Sequence, residues 1–143
     1  MDASGHPAAL TESARLAALA DLAILDTDSE REFDAITKVA ASVLGASSAA
    51  VSLIDRDRQW FKSRHNIDFS ETPRDIAFCD EVVARRDPLV VLDALEDEVF
   101  STNPLVIGGP KIRFYAGTPL FLSSGHCIGS LCVIDDPHRR NFG

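Results

Sequence analysis

The stretch IRFYAGTPLFLSSGHCIGSLCVIDD, residues 112 to 136, decides the fold. Ile112 to Leu122 reads as one long strand. Ile112, Phe114, Ala116, Thr118 and Leu120 alternate onto one face, and Arg113, Tyr115 and Gly117 onto the other. Ser123-Ser124-Gly125-His126 has the composition of a turn. Cys127 to Asp135 is then apolar on both faces, which places it in the middle of a sheet. Two long strands joined by a short turn run antiparallel.

Working outward, Ala49 to Ile54 is a second strand buried on both faces, with Val51 and Leu53 at its centre. Asp55 to Arg58 turns the chain, and Gln59 to Arg64 completes a hairpin. Leu89 to Leu92 is a further short strand. Helical spacing governs the rest. Thr11 or Ser13 caps a helix running to about Ala23, with Leu16, Leu19 and Ala23 on one side. Thr27 or Ser29 caps a second, where Ser29-Glu30-Arg31-Glu32 reads as a capping box. Its apolar stripe is Phe33, Ile36, Ala40, Val43 and Leu44, and Gly45 closes it. Thr72-Pro73-Arg74-Asp75 reads as the start of a third helix carrying Ile76, Cys79 and Val83, with Phe78 and Val82 beside them. Asp93 to Pro110 is irregular, with one helical turn near Asp97 to Ser101. The pattern predicts an α+β domain: a central antiparallel sheet of five to six strands, with helices on one face. Residues 1–10 read as a flexible leader, and residues 11–143 as a single domain.

Composition narrows the function. Of 143 residues, 45% are hydrophobic and 25% charged, which excludes wholesale disorder. The net charge of −8 argues against nucleic acid or anionic lipid as the main partner. No apolar run approaches the roughly 20 residues of a membrane helix, and the N-terminus does not read as a signal peptide. The three cysteines form no framework: Cys127 and Cys132 lie about 16 Å apart along one strand. A reduced, cytoplasmic setting follows.

The order of segments resembles a known family. RLAALADLAILDTDSEREFDAITKVAASVLGASSAAVSLIDRDRQWFKS, ETPRDIAFCDEVV, PLVVLDA, NPLV, IRFYAGTPL and GSLCVIDD, from Arg15 to Asp136, resemble in sequence and order the bacterial GAF sensory domains. These are of the kind found at the N-terminus of sensor histidine kinases and diguanylate cyclases. The resemblance implies a twisted sheet with a small-molecule pocket on the face opposite the first helices, under the middle helix and the irregular loop. It implies an output kinase, cyclase or phosphodiesterase module as partner, in two-component or cyclic di-GMP signalling. Such domains carry a further C-terminal helix. The chain stops at HRRNFG, where that helix is expected to begin, so the domain is expected to lack it.

Against that frame, Tyr115 and Arg113 lie on the ligand side of their strand, facing the irregular segment. Phe78, Cys79, Asp93 and Trp60 complete the candidate ligand-binding set. A more ordinary role stands beside each: core packing for the aromatics and Cys79, and a turn or cap for Asp93. Tyr115 in an open pocket predicts that truncating it costs clearly less than the roughly 3–5 kcal/mol of a packed aromatic such as Phe114. Cys79 reads as well inside its helix with Asp75 and Asp80 near, and so as unactivated. The family's enzymatic branch, the free methionine sulfoxide reductases, keeps its catalytic cysteine in the following loop. Leu105 to Lys111 has none, so turnover by that route is not expected. Bilin attachment needs a Cys-His pair, and Cys79 is followed by Asp80. His65, Cys79 and His126 are too scattered to read as metal ligands. No phosphate-loop, dinucleotide or nucleophile-elbow motif is present. No cofactor can be named. The hairpin residues Arg56, Arg58, Lys62 and Arg64 form the basic spot of an acidic chain, a solvated turn or a docking point for an acidic partner.

The sequence therefore predicts a non-enzymatic, cytoplasmic sensory domain. It binds a small molecule of unknown identity, pairs as a homodimer through its N-terminal helices and regulates a linked output. Two other readings stay open: a ligand-free structural dimerisation module, and a thiol-based redox sensor or enzyme using Cys79.

Overall fold

The computed structural model describes residues 11–135. The predicted leader and the stretch where a C-terminal helix was expected lie outside them. Helix α1 spans Glu12–Asp21 and α2 spans Arg31–Leu44. The hairpin β1 (Ser48–Ile54) and β2 (Arg58–His65) follows, then β3 (Glu71–Pro73), α3 (Phe78–Arg85) and β4 (Leu89–Val91). A short helix α4 (Pro104–Ile107) precedes β5 (Phe114–Phe121) and β6 (Cys127–Asp135). All pairings are antiparallel, in the order β3-β2-β1-β6-β5-β4. This is the predicted α+β architecture, with the two doubly apolar strands at its centre.

The central pair is close. Ala50 faces Cys132 and Leu53 faces Gly129 across it. A Cβ on Gly129 would stand 1.8 Å from the carbonyl oxygen of Ser52, so only glycine fits there. A bulge in β6 makes Ile128 an extra residue between Gly129 and Cys127. It turns Ile128 toward α1, beside Leu19, Leu53 and Trp60, while Cys127 joins the cluster on the other face.

Helices α1 and α2 cover one face. Leu19 packs on Leu53, Trp60 and Ile128, and Ala41 on Ala49, Phe114 and Val133. On the other face α3 and the segment 92–112 close over Ala50, Tyr115 and Cys132. A string of charges ties the two layers together at one end of the sheet. Arg15 on α1 is buried and donates from Nη1 to the carbonyls of Ile54 (2.8 Å) and Cys127 (3.4 Å). Its Nε and Nη2 hold both oxygens of Glu12. Glu12 accepts from Arg74 at 2.7 Å, and Arg74 Nε donates to Asp80 in the first turn of α3 at 2.9 Å.

Several local expectations change. The third helix begins at Phe78, not Thr72. Residues 71–73 form an edge strand on β2, where Pro73 needs no N–H, and the Thr72 hydroxyl accepts from buried Gln59 instead of capping. Cys79 therefore sits in the first turn of α3. Helix α2 starts one step late, with Glu30 as N-cap and no side-chain cap. Lys62, the extra residue of a bulge in β2, draws the preceding segment to itself. Its ammonium binds Glu30 (2.7 Å), the Thr27 hydroxyl and the Asp28 carbonyl. Thr37 and Ala41 are the buried residues of α2, and the Thr37 hydroxyl lies 3.0 Å from that of Ser63. Ile36 (47% exposed), Val39 (58%) and Val43 (76%) consequently face solvent, so much of the expected core stripe is surface. The irregular segment has its turn at Asp97–Ser101, closed by the Ser101 N–H on the Asp97 carbonyl at 3.0 Å with the Asp97 carboxylate accepting from the Val99 and Phe100 N–H groups, and it adds a short helix at Pro104–Ile107 capped by Asn103. Strand β5 begins only at Phe114, after Lys111 at φ 62°, so Ile112 falls on the Tyr115 side of the sheet instead of the Phe114 side.

The charge string makes a pH prediction. Arg15 and then Arg74 hold the Glu12 carboxyl down, from 4.5 to about 2, against a smaller opposing effect of burial. Half of that side chain is exposed, so Glu12→Gln should cost no more than about 1 kcal/mol near neutral pH. A depressed carboxyl stabilises fully above its unfolded value of 4.5 and loses that contribution as pH falls through about 2. Urea midpoints of wild type and Glu12→Gln should therefore converge as pH drops through that window. A gap that persists at the acid end would show that the carboxylate charge is not what stabilises.

Candidate functional site

Between α3, the segment 92–112 and the sheet lies a cavity of about 30 Å³. Its wall is largely apolar, with Phe61, Phe78, Leu105 and Ile112 among its residues; Gln59, Cys79, Tyr115 and Cys132 bring polar atoms to it. A water needs about 10–15 Å³ of such space, so the cavity takes a molecule of very few atoms.

Tyr115 organises the polar side. Its ring lies over Gly117, where a Cβ would come 2.3 Å from the Tyr115 hydroxyl. That absence lets the hydroxyl reach Cys79 Sγ at 3.0 Å and Ser130 Oγ at 3.4 Å. Phe78 packs tilted on the Tyr115 ring at 5.1 Å and stacks on Phe100 at 4.1 Å, joining α3 to the loop beyond it. Below, Ser52 Oγ donates to Gln59 Oε1 at 2.6 Å, and Gln59 Nε2 donates to Thr72 at 3.0 Å. These buried polar atoms are thus satisfied within the protein.

The thiols do not share charge equally. Burial pushes the Cys79 thiol up, but its polar surroundings, Cys132 and Tyr115 first among them, outweigh it and bring Cys79 down to about 7. The Cys132 thiol is driven well above its usual range, by its bond to Cys79 and by burial. Tyr115 is raised too, by burial and then by the negative charge that Cys79 carries when ionised. The cluster therefore ionises first at Cys79.

Of the predicted ligand-binding residues, Phe78, Cys79 and Tyr115 come together at this cavity. Trp60 does not. In β2, Gln59 and Phe61 face the cavity, so Trp60 faces α1 and packs on Leu19 and Leu53. Arg113 points its guanidinium at the carbonyls of Val106 (2.8 Å) and Ile112 (3.1 Å) and anchors the loop. Asp93 is exposed and caps the 3₁₀ turn Ala94–Glu96 by accepting from the Leu95 N–H. Cys132, Gln59, Ser130 and Ser52 were not among the candidates. The signal for Cys132 was its pairing with Gly117, two residues from Tyr115, which only the register of β5 on β6 reveals. Among the described residues, no three His, Cys, Asp or Glu side chains are grouped to hold a metal ion.

Tyr115 is also not in an open pocket: it is 1% exposed, against 2% for Phe114 on the helix face. Tyr115→Ala and Phe114→Ala should therefore both cost about 3–5 kcal/mol in chemical denaturation. A Tyr115→Ala cost below about half that of Phe114→Ala would restore the open pocket.

Comparison with known proteins agrees with this geometry. The model of the GAF domain family matches residues 28–143. A cyclic di-GMP phosphodiesterase from Pseudomonas aeruginosa is 39% identical over 128 residues, covering 90% of this chain but only 22% of that protein. The chain thus spans about a fifth of that relative's length. Among solved structures, a free methionine-R-sulfoxide reductase from Thermoplasma acidophilum superposes with a TM-score of 0.59 at 12% identity, over 73% of this chain and 72% of that one. The GAF domain of an Acinetobacter phosphoenolpyruvate-protein phosphotransferase gives 0.58 at 15% identity, over 85% and 75%. At such identities the two structures share a fold with this chain and nothing more is carried over. Family pattern and fold coincide over most of its length, and the chain belongs to the GAF domain family.

Proposed function

We propose that this domain senses a small molecule in the cavity beneath α3 and biases a signalling output elsewhere in a longer protein. The observation that carries the reading is the cavity itself, a small, partly open and largely apolar space with Gln59, Cys79 and Tyr115 presenting polar atoms to it. This is the usual form of a small-molecule site, at the small end of the size range. A ligand of more than a few atoms enters only if the segment 92–112 moves, and Gly108-Gly109 lies at its end. The likeness to the Pseudomonas phosphodiesterase supports a cyclic di-GMP enzyme as the output, in a region this chain does not cover.

The domain acts by binding, not turnover. The loop cysteine needed by the family's reductase branch is missing from Leu105 to Lys111. A ligand shifts an output only by preferring one of two arrangements. Helix α3 bears Phe78 and Cys79 on the cavity, and the Asp80–Arg74–Glu12–Arg15 string runs from it to α1. That string is the contiguous route by which a shift of α3 reaches the first helices. On α2, Ile36, Val39 and Val43 line an apolar groove that suits a second copy of the chain. The cytoplasm is the compartment proposed. All three thiols are free and buried, and no helix among the described residues is long and apolar enough to cross a membrane.

Native mass spectrometry of freshly purified protein should show a retained small molecule that unfolding releases. Tyr115→Phe removes one hydrogen bond and should weaken retention by about tenfold. A folded protein that is empty from every preparation would overturn the ligand-sensing reading. For assembly, sedimentation at high micromolar concentration should show a dimer, and Val39→Glu with Val43→Glu should give a folded monomer. A wild-type monomer under those conditions would rule out pairing through α2.

A further inference from the structure

Cys79 and Cys132 meet across the cavity wall. One comes from the first turn of α3 and the other from the interior of β6, two elements that pack directly on each other. Both are buried, at 1% and 5% exposure, and both line the cavity. The Tyr115 hydroxyl lies 3.0 Å from the Cys79 sulfur and 3.4 Å from the Ser130 hydroxyl, on the same wall. Cys127 stands apart: its sulfur contacts the Gly129 carbonyl at 3.5 Å and does not line the cavity. The space beside the pair takes a molecule the size of water or hydrogen peroxide and little else.

We propose that Cys79 and Cys132 form a reversible dithiol–disulfide pair, oxidised by a small hydroperoxide that enters this cavity. Cys79 is the attacking sulfur. It lies in the first turn of α3 with the Tyr115 hydroxyl 3.0 Å from its sulfur, and this polar setting, which brings its pKa down to about 7, favours its thiolate. In the first step the Cys79 thiolate attacks one peroxide oxygen. The O–O bond breaks, Cys79 becomes a sulfenic acid, and the second oxygen leaves as hydroxide, which takes up the proton lost by the thiol and becomes water. In the second step Cys132 attacks the Cys79 sulfur. The S–S bond forms, the S–O bond breaks, and the hydroxyl leaves as a second water with the Cys132 proton. Two cysteines lose two electrons and two protons, and one hydrogen peroxide takes up both and is reduced to two waters. A transient bond of this kind suits a reducing compartment, where a permanent one does not persist.

The bond would change the site. A disulfide holds its sulfurs about 2.05 Å apart, well inside van der Waals contact. Closing to that distance draws α3 toward β6 and removes both thiols from a cavity of only about 30 Å³. The effect on sensing rests on the ligand reading above; the oxidation itself does not.

The test uses the reduced full chain, treated with hydrogen peroxide at native pH, then denatured, alkylated and mapped without reductant. Free thiols should fall from three to one, with one linked peptide joining Cys79 to Cys132, and dithiothreitol should restore all three. Cys127→Ser should leave that link intact. Cys132→Ser should stop at a Cys79 sulfenic acid that dimedone traps. If Cys132→Ser does not fold, the map of the wild-type chain decides alone. Three thiols surviving peroxide, a link through Cys127, or a link formed only in urea would each overturn the proposal. Small-molecule retention is read separately on the reduced protein, so either idea can fail without the other.

Discussion

The pairing of β1 with β6 is the constraint from which the rest of the molecule follows. Both strands are covered on both faces, and all seven residues of β1 are buried. Each must offer small or apolar side chains in both directions, and the two backbones must approach closely. Gly129 permits that approach against Ser52. Once the pair is set, alternate residues belong to different layers. Ala49, Leu53 and Val133 receive the first two helices; Ala50, Cys132 and Ser130 receive α3 and Tyr115. The polar members on the second side, Ser52 and Ser130, are fully buried, and their hydroxyls are matched to Gln59 and Tyr115. Left unmatched, each would cost about 1–3 kcal/mol, so the polar cluster and the strand pairing stand together.

A sheet with layers on both sides isolates those layers from each other. Here they communicate at one end, where Arg15, Glu12, Arg74 and Asp80 run from α1 to α3 around the tips of β1 and β6. The exposed members of such a string contribute little stability individually. Arg15 differs, because its buried guanidinium satisfies two strand-end carbonyls. The arrangement fixes where α1 sits relative to α3 more than it stabilises either. The proposed function needs that geometry, since the site and the exposed helix face lie on opposite sides of the sheet.

The site combines a very small volume with a dense polar cluster. Tyr115 is both its largest buried side chain and a hydrogen-bonding partner of Cys79. The low-dielectric surroundings strengthen these bonds and penalise any member left alone. A change in one member is therefore felt by the others, which is the leverage that the proposed ligand or a change at one sulfur would use. The outward face of α2 has the opposite character, open and apolar, with nothing titratable in its groove. On the proposed function, the first feature serves recognition and the second assembly.

The amino-acid sequence by itself determined the elements whose signals are local. Strand β6 has the bounds read from its doubly apolar run, Gly45 ends α2 in the left-handed conformation, and Thr11 caps α1. The antiparallel α+β order follows from those periodicities alone. What the sequence left open depends on pairing between distant residues. Thr72-Pro73 carries a good helix-start signal, yet the free edge of β2 and the buried Gln59 amide claim it as strand. Helix α2 has its apolar stripe, but Ser63 beneath it selects Thr37 and turns Ile36, Val39 and Val43 outward. Trp60 and Phe61 are adjacent aromatics of equal promise, and only the side of the sheet each faces separates core from cavity. Cys79 and Cys132 are 53 positions apart. They meet because β5 pairs Gly117 with Cys132 while α3 packs across both strands. Periodicity is a property of neighbours in the chain, whereas register, bulges and contact between layers belong to the whole fold, and the chemistry of this domain is set by the latter.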